Sequence, residues 1–383
     1  MNYLNIDDEN VIIQTSCFKS KNGTDEYHLM IKPKKSGSVE EHLSQVLVGY
    51  KKCLDQLKIN IDTAMFQRYF TSDLINQADY IKSIIDTKKC AVSIIEQPPM
   101  PDKKLVFWAY HIVDENKTLN KSNGVADLVL ERNGYKHFWN TNIESEDCDS
   151  FKQTDDIFVS YNDVLENNQL KMKNNVIRTW IYVRNVDNNY NGVVVARREL
   201  FEKYGLNKDS HFIASTGIEG RSTKPETLVS MDAYAIEGIK EEQVKFLQAL
   251  DNLNPTHEYG VTFERGTSVE YGDRNHIFIS GTASIDNKGE VVHPGDIQNQ
   301  TIRTIENIEA LLEDAKATLD DVSKFIVYIR DTADYNFVEN YMNQNFNQTP
   351  YVIVLAPVCR PGWLIEIECI AVTENHNIDY NNF

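Results

Sequence analysis

Lys324-Phe-Ile-Val-Tyr-Ile-Arg-Asp-Thr-Ala-Asp-Tyr-Asn336 repeats the order of an earlier stretch, Thr179-Trp-Ile-Tyr-Val-Arg-Asn-Val-Asp-Asn-Asn-Tyr-Asn191. Each is an apolar run of strand length that closes on a Tyr-hydrophobic-Arg-Asx step, a polar loop and the start of a helix. Farther along, Val229-Ser-Met-Asp-Ala-Tyr-Ala-Ile236 stands to Ile365-Glu-Ile-Glu-Cys-Ile-Ala-Val372 in the same way. Two correspondences in one order indicate an internal duplication, and copies of this length predict related α+β units rather than solenoid repeats. We therefore expect an N-terminal unit over 1–240 with a divergent N-terminal extension, a linker over 241–265 and a C-terminal unit over 266–383.

Working outward, the second copy predicts strands at Ser268–Tyr271 and His276–Ser280 and a turn at Asp286-Asn-Lys-Gly289. A helix over 296–316 follows, with Ile302, Ile305, Ile308, Leu311, Leu312 and Ala315 on one face. The Asn-rich tail 375–383 reads as loose. In the first copy, 10–35 alternates as a hairpin. A helix over 38–56 spaces Val46, Leu47, Tyr50, Cys53 and Leu54 along one side. The strand opening at Phe66 passes through Thr71-Ser-Asp73, good cap residues, into a helix over 73–85. Pro98, Pro99 and Pro101 break the chain before a strand over 104–113. A polar loop over 116–123, an aromatic strand at Tyr135-Lys-His-Phe-Trp139 and helices over 158–173 and 193–204 complete this half.

A chain of 383 residues with 41% hydrophobic content can bury more than one core. It has no apolar run long enough to span a bilayer and no signal-peptide pattern at its start, which predicts a soluble cytoplasmic protein. The net charge of −18 excludes a general nucleic-acid binder, whose affinity rests on neutralising phosphates. Six scattered cysteines form neither a CxxC pair nor a disulfide framework, and no metal or cofactor motif is present.

The chemistry concentrates in Ala356-Pro-Val-Cys-Arg-Pro-Gly-Trp-Leu-Ile-Glu-Ile-Glu-Cys-Ile-Ala-Val372. A thiol (Cys359), a guanidinium (Arg360) and a carboxyl group (Glu366) sit on a turn and an apolar strand, where an ionised carboxylate is costly. Period-two alternation sends Glu366 and Glu368 to one face. Residue type alone leaves Glu366 as either an acid of raised pKa or the partner of a structural arginine, and Cys359 as either a participant or a packed thiol. In the first copy Ser230 takes the place of Glu366, so only the second copy is expected to be catalytic.

The second copy resembles the Rid/YjgF family through Ile277-Phe-Ile-Ser-Gly281, the long helix, Phe325-Ile-Val-Tyr-Ile-Arg-Asp331 and the closing Ile-Glu-Ile-Glu. Rid proteins are α+β units that assemble as trimers with pockets at subunit interfaces. Their imine-deaminase site uses an arginine near the start of the strand before the closing turn. Here that region reads Thr349-Pro-Tyr-Val-Ile-Val354, which argues against imine hydrolysis. Over residues 65–372 the chain is similar to the chorismatases, two-domain proteins of Rid-like fold that cleave the enolpyruvyl ether of chorismate. The matching places include Arg68-Tyr-Phe-Thr-Ser-Asp73, Gln97-Pro-Pro-Met100, Tyr135-Lys-His-Phe-Trp139, Arg178-Thr-Trp180, Tyr190-Asn191 with Ala196-Arg197, Ser215-Thr-Gly-Ile218 and Pro357-Val-Cys-Arg-Pro361.

That resemblance implies an enzyme acting on a small dicarboxylate without a cofactor, with Glu366 as the acid that protonates the enol ether. Arg178, Arg197 and Arg360 become expected carboxylate clamps, with Tyr135 as a further contact. Cys359, together with Gly272 on an earlier strand, matches the branch that forms 3-hydroxybenzoate and pyruvate. Hydrolysis to a dihydroxycyclohexadienoate, mixed 3- and 4-hydroxybenzoate formation, or a non-catalytic carboxylate-binding module are the alternatives. No nucleic-acid or membrane partner is expected, and the chain is read as a monomer or homo-oligomer.

Overall fold

The computed structural model describes residues 1–115 and 119–383. The first 114 residues form β1 (Asn2–Asp7), β2 (Val11–Phe18), β3 (Thr24–Pro33), α1 (Val39–Leu57), β4 (Ala64–Thr71), α2 (Leu74–Ile84), β5 (Ala91–Glu96) and β6 (Leu105–Asp114). The next unit holds β7 (Asn120–Ser122), β8 (Leu128–Arg132), β9 (Tyr135–Glu144), α3 (Ser150–Asn167), the short α4 (Met172–Asn175), β10 (Val176–Val183), α5 (Val186–Lys203), β11 (Ala214–Glu219) and β12 (Val229–Glu237). The last holds β13 (Val244–Phe246), β14 (Gly266–Glu270), β15 (Arg274–Ala283), α6 (Ile297–Asp314), β16 (Val322–Ile329), α7 (Tyr335–Asn345), β17 (Tyr351–Leu355) and β18 (Ile365–Glu374).

Each unit is one six-stranded sheet with the same strand order, β1-β2-β3-β6-β4-β5 in the first and its counterparts in the others. All neighbours are antiparallel except the last pair, β4·β5, β10·β11 and β16·β17, which are parallel. Parallel neighbours need a crossover, and α2, α5 and α7 supply it.

The α+β repeats expected from the sequence are present, and the sheets number three. Residues 1–240, read above as one unit with an extension, hold two of them, because the first 60 residues supply three strands and a helix of a complete unit. The helix expected over 158–173 is α3, which starts earlier because Asp149 caps it by accepting a hydrogen bond from Lys152 N at 2.9 Å. Part of the polar loop expected over 116–123 lies outside the described residues, and 120–122 form β7. The tail is not loose. Phe383 is buried against His276, with ring centroids 4.3 Å apart, and its N–H donates to Asp273 at 2.9 Å.

Register makes the three units comparable residue by residue. β4, β10 and β16 each carry one bulge against β6, β12 and β18, between Ala64 and Phe66, Val176 and Arg178, and Val322 and Lys324. Counting from the bulge, Val106, Ser230 and Glu366 occupy one equivalent position, and Trp108, Asp232 and Glu368 the next on the same face.

The sheets meet in a common core to which all three contribute, while the helices cover their outer faces. The contacts run cyclically. The segment after β5 pairs with β17 (Pro99 with Val354), that after β11 with β5 (Arg221 with Glu96), and that after β17 with β11 (Val358 with Ile218). Buried ion pairs follow the same cycle: Arg68 with Asp232 at 2.9 Å, Arg178 with Glu368 at 2.8 Å, and Arg274 with Glu26. One chain thus builds a ring of three related units. Among the described residues no helix is long and apolar enough to cross a membrane.

Candidate active site

The junction of the second and third units encloses a cavity of about 440 Å³. β18 and the turn before it supply Glu366, Cys359, Arg360 and Trp363, while α5 and β11 of the second unit supply Tyr190, Arg197, Arg198, Ser215 and Gly217. Gly281 of β15 and Phe263 and Arg265 just before β14 close it.

Glu366 is 5% exposed and lies across Gly281, where any Cβ would collide with its Oε1. Gly281 falls in the irregular stretch of the β15·β18 ladder between Ile279 and Thr282, the kind of local bulge that re-aims side chains next to sites. Burial pushes the Glu366 carboxyl up to about 8, the nearby charge of Glu368 adds to this, and Arg178 and Arg265 oppose it. At neutral pH Glu366 therefore carries a proton.

Glu368, two residues on, has the opposite fate. Burial alone would raise it, but Lys324, Arg178 and Arg68 outweigh that and hold it at about 2. Its oxygens accept from Arg178 Nη2 (2.8 Å), Thr216 Oγ1 (2.6 Å), Trp180 Nε1 (2.9 Å) and Lys324 Nζ (3.2 Å). A carboxylate with this many donors is satisfied as an anion.

Burial also raises the Cys359 thiol to about 12, helped by Glu366, so it stays protonated at neutral pH; Tyr190 hydrogen-bonds to it and opposes the shift. The Tyr190 ring can lie on β11 because position 217 is glycine, where a Cβ would stand 2.9 Å from Tyr190 Cε2.

The basic side is more extensive than the sequence suggested. Arg197 is 1% exposed, its Nε donates to Thr262 Oγ1 at 3.2 Å, and its Nη2 is buried with no hydrogen-bond partner among the described residues. Arg265 donates from Nη2 to Asn254 O at 3.1 Å, Arg198 donates to Gly260 O at 2.7 Å, and Arg360 stacks over Trp363 at 4.9 Å. Four guanidinium groups converge in a chain whose net charge is −18. The arrangement can hold an anionic molecule and offer it a neutral acid.

Of the residues singled out from the sequence, the structure brings Glu366, Cys359, Arg197 and Arg360 together. Arg178 is elsewhere: it is spent on Glu368, Thr216 and Ser280, and reaches Glu366 only as a nearby charge that opposes its raised pKa. Tyr135 packs edge-on to Tyr271 at 5.2 Å and accepts from Gln243, outside the cavity. Gly272 lies under the C-terminal tail, where a Cβ would stand 2.5 Å from Tyr380 O. The glycine that meets Glu366 is Gly281, visible in the Ile-Phe-Ile-Ser-Gly run but not assigned a role. Arg265 falls at the edge of the stretch read as a linker, where no local pattern marks it. Among the described residues no group of three or more His, Cys, Asp or Glu side chains is placed to hold a metal ion.

Comparison with known proteins agrees with this layout. The family model of Endoribonuclease L-PSP matches residues 267–373. A RutC family protein of Pyrococcus abyssi is 42% identical over 103 residues, 26% of this chain and 80% of that protein. The 3-aminoacrylate deaminase RutC of Acinetobacter baylyi is 31% identical over 99 residues, 25% of this chain and 79% of that protein. A crystal structure of a chorismatase superposes with a TM-score of 0.61 at 18% identity, covering 81% of this chain and 93% of that one. Through its third unit the chain belongs to the RutC family, and its three-sheet whole has the fold of a chorismatase.

Proposed function

We propose that this protein is a chorismatase that converts chorismate to 3-hydroxybenzoate and pyruvate. One observation carries the reading: a carboxyl group kept protonated at neutral pH, Glu366, stands in a cavity lined by four guanidinium groups, whose one other acidic side chain among the described residues, Asp187, is paired with Arg330. A dicarboxylate needs those cations, and an enol ether needs an acid to protonate its methylene carbon. The cavity of about 440 Å³ is of a size suited to a compact metabolite.

In this mechanism Arg197, Arg265 and Arg360 hold the two carboxylates, and Glu366 gives its proton to the methylene carbon. The resulting oxocarbenium ion loosens the bond between ring and ether oxygen, and that oxygen leaves as the keto oxygen of pyruvate. The neighbouring ring hydroxyl takes its place as an arene oxide and returns its proton to Glu366. Opening of the oxide and loss of a ring proton give the aromatic product, so no water is consumed. Cys359 remains a thiol and is positioned beside Tyr190 to guide the ring's proton transfer or exclude water.

Two features weigh against the deamination named for the Acinetobacter baylyi relative. β11, which lines this cavity, reads Ala-Ser-Thr-Gly-Ile-Glu and brings no arginine, and neither does β17, Tyr-Val-Ile-Val-Leu. The test is incubation of the purified protein with chorismate, with pyruvate assayed and aromatic products separated by chromatography. Equimolar pyruvate and 3-hydroxybenzoate are expected. A dihydroxycyclohexadienoate peak would replace the product assignment with hydrolysis, and absence of pyruvate would remove the enzyme reading.

A further inference from the structure

The ring that builds the cavity between the second and third units builds another between the third and the first. It measures about 560 Å³ and lies between β17 with α7 on one side and β1–β3 with the turn before β6 on the other. Register and bridges map the two cavities onto each other. Val106 lines the second where Glu366 lines the first, Tyr351 stands where Ser215 does, and Met100 follows the bridging Pro99 as Cys359 follows the bridging Val358.

The acid and the thiol are therefore replaced by apolar side chains, but a cation is present. Lys32 Nζ sits 3.9 Å from the centre of the Tyr351 ring. The other charged side chains that face it are already engaged. Lys34 pairs with Asp7 at 3.2 Å, Lys103 with Asp102 at 2.5 Å, and Glu339 accepts the Tyr335 hydroxyl. Among the described residues Lys32 Nζ has no hydrogen bond and no ion pair. Burial lowers its pKa to about 7, which the pull of Glu339 offsets only in part. Lys32 is half-buried and its Nζ opens on the cavity with no acceptor beside it, so an anionic ligand held there would gain a charge-assisted partner.

We propose that this cavity is a second ligand site that takes a ring-bearing monocarboxylate of benzoate size and binds it without turning it over. The carboxylate meets Lys32, and the ring lies on Met100, Val106 and Ile353, a floor too apolar and a volume too large for a bare inorganic anion. The site does not depend on what the other cavity catalyses.

Binding a carboxylate favours the charged amine, so it takes up a proton near neutrality. Affinity falls as pH rises through the free amine's value of about 7, since the protonated form is then depleted. Tyr351, whose ring faces the amine, stays neutral across this range, because burial first and Glu339 second raise its pKa.

Calorimetric titration of the whole protein with benzoate at pH 6 and pH 8.5, in two buffers of different ionisation heat, tests this. The native protein should take up protons on binding at neutral pH and bind at least about tenfold more weakly at pH 8.5. Lys32→Met should lose this binding, fold at least as stably as the native chain, and leave pyruvate release from chorismate unchanged. Lys32→Arg should bind without the pH dependence. Benzoate held in the other cavity is common to all three proteins, so the difference between their isotherms reads this cavity alone. Identical isotherms for native and Lys32→Met, or native binding without proton uptake, would overturn the proposal.

Discussion

Glu366 and Glu368 stand two residues apart on one face of β18, and their environments drive them to opposite protonation states. Glu368 accepts four hydrogen bonds and is held at about 2, while Glu366 is buried beside that fixed charge and raised to about 8. Pairs of carboxyl groups pushed apart in this way are how one site holds a base-stable anion and an acid together. Glu368 acts as a positioning residue here, because its charge keeps the proton on its neighbour. Glu368→Gln removes that repulsion and frees Arg178, which favours an ionised Glu366, and Lys324. The alkaline limb of the pH–rate profile should move to lower pH. The same change leaves two buried cations without their partner and should lower stability by about 3–5 kcal/mol, read by denaturant unfolding.

Glu366 should make the fold sensitive to alkali. Its folded pKa is raised, from an ordinary 4.5 to about 8, so the stability linked to its protonated form is full in acid and lost as pH rises through 8. Glu366→Gln keeps the shape and removes the ionisation. At pH 9 the variant should be more stable than the native chain by on the order of a few kcal/mol, with the difference vanishing near pH 5, as followed by thermal or urea unfolding.

Arg197 offers a buried Nη2 whose hydrogen-bonding capacity is unused. Arg197→Met should therefore raise KM for chorismate with less effect on kcat, at a cost of about 2–4 kcal/mol in kcat/KM. The Arg178→Met variant should differ, since Arg178 touches Glu368 and not the cavity: its signature is a shifted pH profile rather than a KM effect.

Gly281→Ala places a methyl group against the Glu366 carboxyl. Overpacking of this kind costs about 1–3 kcal/mol, and here it also displaces the acid from the cavity. Turnover should fall at least about tenfold while substrate affinity, set by the arginines, changes little.

Much of this was legible in the chain. The strand-loop-helix match of Thr179–Asn191 with Lys324–Asn336 and the pairing of Ser230 with Glu366 reappear in the hydrogen-bonded register. The first unit was missed because β4, Ala-Met-Phe-Gln-Arg-Tyr-Phe-Thr, lacks the Tyr-hydrophobic-Arg-Asx ending, its inward positions being used for Arg68 and its aromatic neighbours. A signal was available: Gln97-Pro-Pro-Met100 is the counterpart of Ala356-Pro-Val-Cys359, since each follows its parallel edge strand and bridges to the next unit. Arg178 and Arg197 look alike in sequence, and only the fold shows that one faces Glu368 and the other the cavity. Sheet geometry gathers Arg265 and Gly281 beside residues far away in the chain, a closeness that no local spacing encodes.

The central claim is that Glu366 delivers the proton that releases pyruvate, and pyruvate release from chorismate across pH 5–10 tests it most directly in the native protein and Glu366→Gln. The native rate should stay level below about pH 8 and fall tenfold per unit above it, and the variant should be slower by about 10²–10⁴-fold at pH 7. A Glu366→Gln variant that retains the native rate would contradict the account.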